Sequence, residues 1–84
     1  MPPGPRRARD QAIAVAFGQR VRELRAEARL TQEGLAEAAE LHPTFVSNVE
    51  RGYRVPTVPT MLRLAHGLGV APSRLVDGLE APLG

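Results

Sequence analysis

Apolar residues recur along this chain at helical steps, and no segment alternates with the period of a strand. Ile13, Phe17, Val21, Leu24 and Ala28 lie four, four, three and four residues apart. They draw one stripe along a first helix spanning about residues 10–28. Arg20, Arg22, Glu23, Arg25 and Glu27 take its other faces. A second, short helix over about 32–39 follows Thr31, a good N-cap. Glu33 sits near its positive end, and Leu35, Ala36 and Ala39 form a small inward face.

The third helix, about 43–51, is sparse in apolar side chains. Pro43 suits its first position, where the missing N–H costs nothing. At 100° per residue Phe45, Val46 and Val49 share one side, Pro43, Thr44, Ser47 and Arg51 the opposite one, and Asn48 the flank. Gly52 supplies a stop. A fourth helix runs from about Val58 to Leu68, with Thr57 placed to cap it, Pro59 tolerated in its first turn and Gly69 ending it. A short fifth helix has Pro72 near its start and Leu75, Val76 and Leu79 as its apolar set. The expected fold class is all-α, with five helices joined by short connections. The expected organisation is a flexible basic arm over 1–9, one domain over 10–79, and a loose tail over 80–84.

Composition narrows the classes further. A chain of 84 residues has room for one small domain. With no Cys it has no disulfide framework and no thiolate metal site, so one apolar core must hold it together. No apolar run approaches the roughly 20 residues that span a bilayer. No signal-type apolar core follows MPPGPRRARD, so a cytoplasmic protein without membrane contact is expected. The net charge is only +2, but it is unevenly spread. Residues 1–30 hold seven Arg against three acids, 31–50 four Glu and no Arg, and 51–84 four Arg against two acids. Every basic side chain is Arg, which makes forked hydrogen bonds to phosphate, although a general compositional bias towards Arg explains this equally well.

Two short helices joined by about three residues make a helix-turn-helix candidate. The residues sharpen it. LTQEGLAEAAELHPTFVSNVERGYRVPTVPTMLRLAHGLGV resembles the Cro and lambda-repressor-type helix-turn-helix family. Leu30, Thr31, Gln32, Leu35 and Ala36 carry the first motif. Leu41, Phe45, Val46, Ser47, Val49, Glu50 and Gly52 carry the second, and Pro56, Met61, Leu64, Ala65, Leu68, Gly69 and Val70 the third. The resemblance covers about residues 13–77. Three positions depart from it. Gly34 stands where the family usually has Glu, which removes a capping box. Glu40 stands where Gly is usual, a strained choice if the backbone there is left-handed. His42 stands in place of a capping Ser.

The resemblance implies a transcriptional regulator that reads double-stranded DNA with its third helix in the major groove, where each base pair shows a distinct pattern of donors and acceptors. It implies base contacts from Pro43, Thr44, Ser47 and Asn48. Thr44 and Asn48 are the best suited, since Asn can make paired bonds to adenine. It implies phosphate contacts from Gln32, His42, Arg51 and Arg54, and a structural ion pair between Arg25 and Glu50. The small reading face implies a homodimer on a near-palindromic operator. Val70, Leu75, Val76 and Leu79 are the interface candidates, or else they close the core against the first helix. The Arg-rich arm, Pro5 to Arg9, either lies along phosphates or reaches into a minor groove, or has no role. A restriction–modification controller, a phage-type repressor and an antitoxin all share this size and pattern.

An enzyme is not expected. His42 and His66 lie far apart in sequence, no acidic pair suits general-base or metal work, and neither Ser47 nor Ser73 has an activating neighbourhood. No cofactor and no metal are expected. The competing function is a protein-binding module, an antitoxin or adaptor that meets a separate protein partner through its C-terminal helices.

Overall fold

The computed structural model describes residues 4–84, and every regular element among them is helical. Helix α1 spans Pro5–Glu27, α2 Gln32–Ala39, α3 Pro43–Glu50, α4 Val58–Leu68 and α5 Ser73–Val76; a 3-10 turn, Ala81–Leu83, closes the chain. The three middle boundaries follow the sequence pattern, because each is set by a local stop. Glu40, at φ 57°, and Gly69, at φ 70°, take left-handed caps. The N–H groups of Leu41 and Val70 bond back to the carbonyls of Ala36 and Ala65 at 2.8 and 3.0 Å. Glu40 thus adopts a conformation suited to glycine at a cost of about 1 kcal/mol. At the start of α2, Thr31 Oγ1 accepts the Gly34 N–H at 2.9 Å.

The two ends of the chain differ from the sequence expectation. Residues 1–3 of the expected arm lie outside the described residues, but the arm from Pro5 onward is helical. Proline is pre-organised for a first helical position, and the Arg and Ala residues that follow are good helix formers. Apolar periodicity misses this turn because residues 4–12 are all exposed and bury nothing. The expected loose tail contains the 3-10 turn, whose Leu83 lies beside α1. Thr57 occupies the N-cap position of α4 but makes no side-chain cap; its hydroxyl donates to Thr60 Oγ1 at 3.2 Å.

One core joins all five helices. Phe17, Val21 and Leu24 of α1 meet Leu35, Ala36 and Ala39 of α2, Val46 and Val49 of α3, Leu64, Ala65 and Leu68 of α4, and Leu75 of α5. Leu75 is wholly enclosed. It closes the core and offers no surface to a second copy, which removes it from the interface candidates. The approach of α1 to α3 is close enough to require a glycine. A Cβ on Gly18 would fall against the carbonyl oxygens of Val49 and Glu50, 2.7 Å from the latter. Packing of α2 on α4, and of α1 on α3, frames the α2–turn–α3 unit from both sides.

Candidate nucleic-acid interface

Helix α3 is short and has two unlike sides. Val46 and Val49 are fully buried, which fixes the inner side to the core. Phe45 is half-buried and packs at the core's edge. On the outer side Thr44 is exposed, and Pro43, Ser47 and Asn48 are partly exposed. The four residues expected to face bases therefore share one accessible surface, with the hydroxyl and amide groups of Thr44, Ser47 and Asn48 within a turn of each other.

Two helices, α1 and α2, converge on the end of α3 through one carboxylate. The Glu50 side chain is fully shielded from solvent. Arg25 Nε donates to Oε2 at 2.6 Å and Arg25 Nη2 to Oε1 at 3.0 Å, a two-pronged pair. Arg25 Nη1 also donates to the Leu30 carbonyl at 3.0 Å. Gln32 Nε2 donates to Glu50 Oε1 at 3.1 Å, and Arg22 Nε approaches the same oxygen at 3.5 Å. Burial pushes the Glu50 carboxyl upward. Its hydrogen bonds from Arg25, Gln32 and Arg22, with the Arg25 charge, outweigh that and hold it below the ordinary carboxylate range. The Glu50 hydrogen bond raises the Arg25 guanidinium in turn. Arg25 and Glu50 thus make the contact expected of them, and α1, α2 and α3 share one anchor.

The residues expected at phosphates are spread around this unit. Arg51 and Arg54 are exposed beyond the end of α3. His42 is exposed and caps α3, its Nδ1 accepting the Thr44 N–H at 3.1 Å. That bond leaves Nε2 as the nitrogen bearing hydrogen. Gln32 differs from expectation, since its amide turns inward to Glu50. What α2 has left at this end is the backbone N–H groups of Gln32 and Glu33, which have no intrahelical acceptor; that of Gly34 is taken by Thr31.

Sequence reasoning missed three features. Gly18 is one, although a glycine in mid-helix is itself a signal of close approach. The participation of Arg22 is another, and its position one turn before Arg25 on α1 was the available clue. The third is Arg20, whose Nη1 and Nη2 donate to the carbonyls of Arg74 and Asp77 at 2.6 and 2.7 Å. Nothing in the local pattern indicates that contact.

Away from α3, an apolar groove of about 630 Å³ runs between α1, the start of α4 and the C-terminal segment, with Val76 and Leu79 on one wall. Val70 is half-buried against the core. Among the described residues no group of His, Cys, Asp or Glu is arranged to hold a metal ion, and no helix is long and apolar enough to cross a membrane.

A family model described as a helix-turn-helix domain matches residues 16–79. The chain is 38% identical over 66 residues to control protein C.BamHI of Bacillus amyloliquefaciens, covering 77% of this chain and 82% of that one. It is 37% identical over 62 residues to the immunity repressor of Bacillus phage phi105, covering 74% of this chain but only 43% of that protein. The crystal structure of the restriction-modification controller protein C.AhdI from Aeromonas hydrophila superposes with a TM-score of 0.72 at 44% identity, over 74% of this chain and 94% of that one. With its buried-backed α3 and these matches, the chain belongs to the helix-turn-helix family of Cro and lambda-repressor type.

Proposed function

We propose that this helix-turn-helix protein regulates transcription as a homodimer, with α3 of each copy in the major groove of a near-palindromic operator. The observation that carries the reading is the division of α3. Val46, Val49 and the Glu50 carboxylate are fixed inside, while Thr44, Ser47 and Asn48 keep their polar atoms outside. A reading helix needs this combination, because base-edge hydrogen bonds discriminate only when the helix carrying them is held rigidly. In this reading Pro43, Thr44, Ser47 and Asn48 meet base edges. Arg51, Arg54, the His42 Nε2–H and the α2 N-terminus beside Gln32 meet phosphates, which orient the protein without reading sequence. Val76 and Leu79, with Val70 at the margin, contribute the contact between copies. The likeness to C.BamHI and C.AhdI favours a control protein of a restriction–modification system over the phage repressor and antitoxin alternatives.

The test starts from a duplex pool enriched on the wild-type protein. Thr44→Ala and Asn48→Ala are each expected to weaken the enriched site by about 1–3 kcal/mol and to relax preference at particular base pairs. Unchanged affinity and preference in the double variant would remove α3 as the reader.

A further inference from the structure

Helix α5 has only four residues, far below the length at which a helix holds itself together. The chain leaves it through Asp77, at φ −55° and ψ 122°, and Gly78, at φ 80°. Two side chains with opposite fates flank this bend. Val76 faces outward at 41% exposure, and Leu79 returns to the edge of the core. Leu75 ties the segment down on its apolar side. The polar ties are few. Arg74 and Glu27 approach to 3.7 Å, but both side chains are more than half exposed, and such pairs contribute little. Arg20 does more. From the middle of α1, its two terminal nitrogens grip the carbonyls of Arg74 and Asp77, one inside α5 and one just past it. Both carbonyls lie at a helix end where no intrahelical N–H is available.

We infer that Arg20 is a positioning residue for self-association: its guanidinium fork on the Arg74 and Asp77 carbonyls fixes the bend that presents Val76 beside Leu79 to a second copy. The inference rests on the homodimer reading above. The geometry needs arginine, since a planar fork reaches two acceptors at once whereas a lysine ammonium is a single point of charge on a flexible stem. Both Arg20 hydrogen bonds go to the C-terminal segment and neither to α3, so its loss leaves the reading helix in place and loosens the face between copies.

Sedimentation equilibrium without DNA tests this on wild type, Val76→Glu, Arg20→Ala and Arg20→Lys, with hydrogen exchange of the α2 and α3 amides measured alongside. Arg20→Ala is expected to raise the dimer dissociation constant by about tenfold or more, equal to about 1.4 kcal/mol per decade. Arg20→Lys should fall between it and wild type, with α2 and α3 protection unchanged in both. A monomeric wild type, or a Val76→Glu variant that associates normally, overturns the dimer reading and this inference together. A dimeric wild type, a monomeric Val76→Glu and normal association of Arg20→Ala overturn the inference alone. If Arg20→Ala does not fold, normal association of Arg20→Lys decides against it in the same way.

Discussion

Arg25 and Glu50 are joined by two hydrogen bonds, 2.6 and 3.0 Å long, across a separation of 25 residues. Because the carboxylate is fully shielded, the pair acts as a bolt between α1 and the end of α3. Glu50→Gln keeps the shape and removes the charge, leaving Arg25 without its counter-ion. Removing one partner of a buried pair costs about 3–5 kcal/mol. Urea unfolding should show a loss near the lower figure, because Arg25 keeps 19% of its side chain in solvent. A wild-type midpoint in the variant would contradict the role assigned to the pair.

The same carboxylate sets a pH dependence. Its folded-state pKa lies below the ordinary 4.5. A depressed carboxyl contributes stability that is fully present above the unfolded value and is lost as pH falls through the folded one. Wild type should therefore hold its stability from neutrality down to about pH 5 and lose it more steeply below that than Glu50→Gln does. The two unfolding curves should converge in acid. Parallel curves down to about pH 2.5 would rule Glu50 out as the source.

In the proposed reading Arg51 and Arg54 meet phosphates. Neutralising one arginine that meets a phosphate should reduce the slope of log affinity against log salt by about 0.9. Arg54→Gln should therefore weaken the enriched duplex and an unrelated duplex by the same factor, in contrast to Asn48→Ala. A selective effect at one base pair would move Arg54 to the base-reading set. Affinity indifferent to salt would favour apolar partner binding over DNA.

Two backbone sites should respond in opposite directions. Gly18→Ala gains helix propensity, about 1 kcal/mol. Its Cβ, however, would press on two carbonyl oxygens at the α1–α3 crossing, and forcing such an overlap costs about 1–3 kcal/mol. The variant should be destabilised, with DNA affinity reduced because α3 is displaced. Glu40→Gly relieves a left-handed glutamate and should stabilise by about 1 kcal/mol. Thermal unfolding of the two variants measures both signs.

The sequence by itself determined where α2, α3 and α4 begin and end and which side of α3 is apolar. These depend on local matters: residue spacing around a helix, proline at a first turn, and a residue able to turn left-handed at a last one. It also carried the Arg25–Glu50 pairing, though only through the family resemblance and not through spacing. Tertiary structure decided the rest. Gln32 sits at a helix start that suits a phosphate, yet its amide turns inward because a shielded carboxylate from α3 lies within reach. Leu75 and Val76 are neighbours in one short apolar run, but the core closes over one and leaves the other in solvent. Arg20 looked like any charge on an outer face until the carbonyls of residues 54 and 57 positions away came to lie beneath it. Local spacing encodes which way a side chain leaves its own helix. What it meets there depends on how distant segments pack, and no short-range pattern records that.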